Sequence, residues 1–213
     1  MQQSAISMAT LGRLPRYLQY LRSLPQKEGA TVSASVIARA LSLGEVQVRK
    51  DLASVSGAGR PKIGYITADL IDELERCLGA HQMTSAVLVG AGKLGRALLE
   101  FNGFEEYGVQ IAAAFDSNEQ TLRHSKHTKE ILPIHELASF CETNHIQLGI
   151  ITVGQGSAQW VCDRMVASGI RAIWNFAPCQ LDVPDGILLK QENLALSLAH
   201  LSNQLKKQNE TDE

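Results

Sequence analysis

Three glycines, Gly90, Gly92 and Gly95, stand in G-x-G-x-x-G spacing directly after the apolar run Ala86 to Val89. The run reads as a buried strand, and glycines so placed let a backbone turn tightly and pass close to a pyrophosphate. The motif A-V-L-V-G-A-G-K-L-G therefore points to a dinucleotide, but the same spacing occurs in ordinary loops and takes its meaning from its neighbours. Those neighbours fit. A helix is expected from about Lys93 to Phe101, with its N-terminal amides toward the phosphates. The next strand, Gln110 to Phe115, ends on Asp116, 26 residues beyond Gly90. An acid at that place hydrogen-bonds adenosine ribose hydroxyls and repels a 2′-phosphate, which favours NAD(H) over NADP(H). The competing reading of Asp116 is a plain strand-end turn residue.

A second group of residues suits a different chemistry. Residues 1 to 64 hold nine Lys or Arg against three Asp or Glu, a net +6, whereas the rest of the chain is net −8. A basic front on an acidic body predicts contact with a polyanion, nucleic acid above all. Helical spacing predicts a helix over Arg13 to Leu24, a second over about Ala34 to Leu41 and a third over about Glu45 to Ser54, the last two joined by Ser42-Leu43-Gly44. In the third, Val48, Leu52 and Val55 share an apolar face, leaving Gln47, Lys50 and Ser54 on the other, with Arg49 at its edge. That is a helix-turn-helix pattern; its plain alternative is a three-helix bundle with solvated charges. Ser56 to Tyr65 is too rich in Gly and Pro for a helix. With Arg60 and Lys62 it reads as a β-hairpin wing lying along a phosphate backbone.

The remaining elements frame these groups. Thr67 is expected to cap a fourth helix, Ala68 to Leu78, and Gly79 to Met83 to act as a linker. Apolar strands at Ala86 to Val89, Gln110 to Phe115, Gln147 to Val153 and Ala172 to Phe176 alternate with helical stretches, which predicts a Rossmann-like parallel sheet. Ligands bind at the carboxyl ends of such strands, so Thr152, Val153, Asn175, Phe176 and Pro178 are candidate pocket walls. Leu194, Leu198, Leu201 and Leu205 form one stripe of a last helix, Gln191 to Lys207, able to cover the sheet or to pack on a second subunit. The expected domains are 1–79, 84–190, the helix 191–207 and a polar tail 208–213.

Composition narrows the classes. Of 213 residues 45% are hydrophobic and 20% charged, and no apolar run is long enough for a membrane span. With no secretory signal at Met1 to Thr10, a cytoplasmic protein is expected. Cys77, Cys141, Cys162 and Cys179 form no C-x-x-C pair, and His81, His124, His127, His135, His145 and His200 form no H-E-x-x-H arrangement, so no metal site is expected.

Several motifs in this order give the chain a resemblance to the Rex family of redox-sensing transcriptional repressors. They are L-P-R-Y-L-Q-Y-L-R (Leu14 to Arg22), Q-V-R-K-D-L (Gln47 to Leu52), Gly64-Tyr65, Val89 to Gly95, Asn102-Gly103-Phe104, Ala113 to Asp116 and N-F-A-P (Asn175 to Pro178). The resemblance implies an N-terminal winged helix, a central Rossmann domain, and a homodimer that exchanges its C-terminal helices. It also implies that operator DNA is bound with NAD+ or no ligand and released by NADH. By the same resemblance Gln47, Arg49, Lys50 and Ser54 belong at the major groove and Arg60 and Lys62 to the wing. Gly90, Ala91, Gly92, Lys93, Leu94 and Gly95 receive the pyrophosphate, Asp116 the ribose, and Thr152, Val153, Asn175, Phe176 and Pro178 the nicotinamide side. Family members couple an arginine, a tyrosine and an aspartate in a ligand-dependent network. The matching positions are Arg22, Phe101 and Asn193, so the hydroxyl and the carboxylate are missing. The wing also departs from the family, with Val55-Ser56, Ala58 and Pro61 in place of its aromatic, F-G and arginine pattern.

Two alternatives remain open at this stage. One is a small NAD-dependent oxidoreductase with a basic appendage, against which stand the lack of a Tyr-x-x-x-Lys pair and of a substrate domain. The other is a repressor responding to a CoA-like nucleotide, because a glycine loop reads phosphates before it reads a base.

Overall fold

Leu14, Tyr17, Leu18 and Leu21 are fully buried on one face of α2 (Leu14–Ser23). Around that face the N-terminal part of the chain closes its core. The structure, a computed structural model, describes residues 6–25, 27–61, 63–118 and 129–211. The chain forms two compact units, one of Met1–Met83 with Gly103–Gly108, the other of Thr84–Asn102 with Val109–Glu213.

In the first unit a short helix α1 (Met8–Leu11), capped by Ser7, precedes α2. Then come β1 (Thr31–Val32), α3 (Ala34–Leu41), α4 (Glu45–Ser56), β2 (Tyr65–Ile66) and α5 (Thr67–Cys77). Ser33 caps α3, its hydroxyl accepting from the Val36 amide, and Ser42 ends that helix in the left-handed conformation. Val48 and Leu52 of α4 join Ile37, Leu70 and Leu74 in the core. The predicted wing hairpin is replaced by something smaller. Arg60 and Gly64 are joined by a single antiparallel bridge, while the chain after it, β2, pairs antiparallel with β1. Thr67 does not cap α5: it is itself the first helical residue, it is buried, and its amide donates to the Ala30 carbonyl.

The second unit is built on a six-stranded, wholly parallel sheet. Its strands are β3 (Thr84–Val89), β4 (Val109–Asp116), β5 (Ile131–Pro133), β6 (Leu148–Ile151), β7 (Ala172–Asn175) and β8 (Leu188–Gln191), laid out in the order β5-β4-β3-β6-β7-β8. Counted within the unit this is the 3-2-1-4-5-6 order of dinucleotide-binding sheets, with its reversal point between β3 and β6. Among its helices are α6 (Lys93–Leu99), α7 (Leu137–Asn144) and α8 (Gln155–Ala167). Val87, Val89, Phe115, Ile151 and Ile173 pack with Cys141, Val161, Cys162 and Met165 into one core. Both edge strands, β5 and β8, are absent from the reading of the sequence because each is only three or four residues long and half-exposed. The last helix, α9 (Leu194–Thr211), begins after β8 and runs into the expected polar tail. Its Leu194, Leu198, Leu201 and Leu205 are all exposed within the single chain.

Candidate dinucleotide site and nucleic-acid interface

The glycine loop lies at the reversal point of the sheet. Gly90, the residue after β3, takes φ +106°, a left-handed value that an L side chain rarely adopts, and a Cβ there would meet the Thr152 carbonyl carbon at 2.8 Å. A Cβ on Gly95 would come within 1.9 Å of the Gly90 carbonyl oxygen. Gly92 differs, because a Cβ there would meet nothing within 4 Å. The first glycine makes the turn, the third lets the helix approach the loop, and the second leaves open space at the start of the helix, the pattern of dinucleotide-binding loops. Gly92 is also the N-cap of α6, which has no side-chain cap, so first-turn amides of Lys93 and Leu94 lack intrahelical partners. These residues fit an anionic dinucleotide.

Two neighbours hold the loop in shape. Thr152, just past β6, donates its hydroxyl to the Gly90 carbonyl at 2.7 Å. Asp116, ending β4, accepts the Ala91 amide at 2.7 Å through one oxygen and the Asn118 amide at 2.8 Å through the other. Asp116 is thus fixed beside the loop at the carboxyl end of its strand. Arg96, which sequence reasoning passed over, folds back from α6 and donates to the Ala91 carbonyl at 2.9 Å.

The N-F-A-P segment follows β7. Asn175 is fully buried and its amide is consumed internally: Oδ1 accepts the Ala177 amide, while Nδ2 donates to the carbonyls of Ala177 and Cys179 and to Gln191. Its part is to shape the turn that carries Phe176, which packs on Trp174 at 4.5 Å between centroids, and the exposed Pro178. A cavity of about 450 Å³ opens beside this turn, lined by Pro178, Cys179, Gln191 and the start of α9. Asn193 lies on its wall and caps α9, accepting the Leu196 amide at 2.9 Å. Val153 is half-buried against the core of the same unit.

In the first unit α4 exposes Gln47, Arg49, Lys50 and Ser54. Arg49 pairs with Glu45 one turn earlier, and the Ser54 hydroxyl donates to the Asp51 carbonyl at 2.6 Å. Between α3, α4 and the Arg60–Gly64 bridge lies a cavity of about 310 Å³ lined by Ser33, Ser35, Arg49 and Arg60. Lys62 lies outside the described residues. Arg22, expected to couple with Phe101 and Asn193, is held inside the first unit by other groups: its guanidinium reaches Glu75 at 2.9 Å and Glu106 at 3.1 Å and lies over the Tyr107 ring. Phe101 is exposed.

Beneath α4 is a buried polar cluster that the apolar periodicity does not reveal. Asp51 is 4% exposed and accepts from Arg13 twice, from Tyr17 and from Thr10. Burial pushes its carboxyl up, but those hydrogen bonds outweigh burial and hold it below the ordinary carboxylate range. The Tyr17 hydroxyl is pushed up to about 12, by burial first and then by its hydrogen bond to Asp51. The clue in the sequence is an acid three residues after Val48, set within the apolar stripe of α4. Among the described residues no group of His, Cys, Asp and Glu could hold a metal ion.

A winged helix joined in one chain to a dinucleotide-type parallel sheet defines a class, the nucleotide-linked winged-helix proteins. Residues 5–53 match the family described as "Putative DNA-binding protein N-terminus", and residues 81–179 match the CoA binding domain family. A redox-sensing transcriptional repressor Rex of Porphyromonas gingivalis is 37% identical over 197 residues, covering 92% of this chain and 90% of the relative. The Rex of Thermoanaerobacter sp. strain X514 is 32% identical over 204 residues, covering 96% and 91%. The crystal structure of RSP in complex with β-NAD+ and operator DNA superposes with a TM-score of 0.88 at 31% identity, covering 98% of this chain and 96% of that one. RSP in complex with β-NADH gives 0.86 at the same identity, covering 98% of each chain. The chain belongs to the Rex family of redox-sensing transcriptional repressors.

Proposed function

We propose that this protein is a transcriptional repressor whose hold on operator DNA is set by the NADH/NAD+ ratio, acting as a homodimer in the cytoplasm and carrying out no catalysis. One observation carries the sensory half. At the reversal point of a 3-2-1-4-5-6 sheet, the Gly90 turn, the open space over Gly92 and the Asp116 carboxylate come together within one unit. The carboxylate selects the nucleotide. NAD(H) presents two free hydroxyls on its adenosine ribose, whereas NADP(H) and CoA carry a phosphate on that sugar, which Asp116 repels. This weighs against a CoA-like ligand despite the family match over residues 81–179.

On the DNA side, α4 is the recognition helix, with Gln47, Arg49, Lys50 and Ser54 at the groove and Arg60 and Lys62 on the backbone. The leucine stripe of α9 packs on the second subunit, a reading supported by the exposure of five large apolar side chains on that one helix. A ligand shifts such a protein only by its differential affinity for the two dimer arrangements. NAD+ and NADH differ at the nicotinamide, a cation against a neutral ring, so discrimination falls to Phe176, Thr152, Val153 and Pro178. An apolar lining disfavours the cation. Arg22, Phe101 and Asn193 stand at the coupling positions. With Arg22 bound to Glu75 of α5 and to Glu106, these two ion pairs take the place of the lost hydroxyl and carboxylate.

Fluorescence anisotropy of a labelled operator duplex, titrated with protein at fixed NAD+ and rising NADH, tests this reading, with sedimentation velocity of the same sample reporting the dimer. Operator affinity unchanged by saturating NADH, or a monomer, would refute it.

A further inference from the structure

The Asp51 cluster does more than fill space beneath α4. Asp51 takes Arg13 Nε at 2.7 Å on Oδ2 and Arg13 Nη2 at 2.8 Å on Oδ1, a bidentate fork that fixes the plane of the guanidinium. Tyr17 Oη and Thr10 Oγ1 secure the carboxylate from the other side, at 2.7 Å and 3.1 Å. One edge of Arg13 is spent on Asp51. Gln47, one turn before Asp51 on α4, stands beside the same guanidinium. With its amide oxygen toward Arg13, Gln47 accepts from Nη1 at 3.1 Å and lies 3.2 Å from Nε, whose single hydrogen already goes to Asp51. The opposite orientation sets its NH2 against a guanidinium that can only donate, so the oxygen faces inward.

We propose that Arg13, locked by Asp51, is a positioning residue for operator reading: it pins the Gln47 carbonyl so that Gln47 presents its NH2 to the major groove as a donor. The inference rests on α4 being the recognition helix. A free glutamine reads adenine bidentately, giving one hydrogen bond and accepting another. A glutamine whose oxygen is engaged favours acceptor edges, guanine O6 and N7 or thymine O4. Arg13 itself touches no base in this scheme and sets specificity through its neighbour.

A double-mutant cycle tests it. The probes are a duplex selected by the wild-type protein from a random-sequence library and an unselected duplex of the same length, both read by anisotropy. Gln47→Ala is expected to weaken the selected duplex about ten-fold and Arg13→Lys, which keeps the charge beside Asp51 but loses the fork, about five-fold. The pair together binds no more weakly than Gln47→Ala alone. For Arg13→Lys the unselected duplex and the salt dependence stay as in the wild type. Additive losses, or a salt slope lowered by about one phosphate contact, overturn the inference while leaving the repressor reading intact. A wild-type protein that selects no sequence overturns both. Should Arg13→Lys not fold, the wild type decides alone: a Gln47 side-chain amide as rigid as the backbone in 15N relaxation supports the pinning, and one rotating freely overturns it.

Discussion

Replacing Gly92 and Gly95 separately with alanine distinguishes a ligand site from a mere turn, because the two glycines have opposite surroundings. The Gly92 backbone is extended, at φ −71° and ψ −164°, so an alanine is unstrained there, and its Cβ meets nothing within 4 Å. Gly92→Ala is therefore expected to fold as the wild type. The methyl group instead occupies the path of the pyrophosphate, and crowding of about 2.7 kcal/mol, within the usual range for overpacking, weakens NADH about 100-fold. The assay is thermal unfolding with and without NADH at 100 times the wild-type Kd. Bound ligand then stabilises the wild type by about 2.7 kcal/mol, a rise of roughly 5–10 °C for a chain of this size. Gly92→Ala at the same concentration gains only about 0.4 kcal/mol, about 1 °C. Gly95→Ala behaves in the reverse order, because its Cβ falls 1.9 Å from a backbone oxygen and 2.9 Å from the Thr152 hydroxyl, so it lowers Tm before any ligand is added. A Gly92→Ala protein stabilised by NADH as fully as the wild type would refute the placement of the pyrophosphate.

Two other predictions concern the first unit. Stability measured by urea denaturation across pH should be level near neutrality and fall at both ends: the depressed Asp51 carboxyl contributes stability that is lost as pH drops below about 4, and the Tyr17 hydroxyl, raised to about 12, contributes stability that is lost as pH climbs above about 10. Tyr17→Phe should remove the alkaline loss attributable to that hydroxyl, and an unaltered alkaline limb would count against the buried pairing. Lys50→Ala and Arg60→Ala should each lower the salt slope of operator binding by roughly one unit. Arg49→Ala should cost less affinity than Lys50→Ala, because Arg49 must first give up its pairing with Glu45, and the reverse ranking in anisotropy titrations would show that this ion pair does not persist on DNA.

The limits of α3 and the four central strands of the sheet are legible in the amino-acid sequence, because burial on one or both faces imposes a hydrophobic period that local reading detects. The same holds for the glycine loop and for Asp116 at its strand end, whose spacing is set by the length of one strand, one helix and one strand. These features made the class of ligand readable before any coordinates. Tertiary structure alone decided the rest. β1 pairs with β2 across more than thirty residues, and the edge strands β5 and β8 take their conformation from a neighbour rather than from their own pattern. Asn175 belongs to a recognisable motif, yet only the fold shows its amide turned inward on its own loop. Asp51 and Arg13 are 38 residues apart, and an ionic pair formed through space leaves no periodicity to read. Arg22 is the sharpest case, since its partners Glu75 and Glu106 come from two helical segments that touch only after the core has closed. Local spacing records which face of a segment is buried; what that face meets is settled by packing, where charge and shape from distant parts of the chain are matched together.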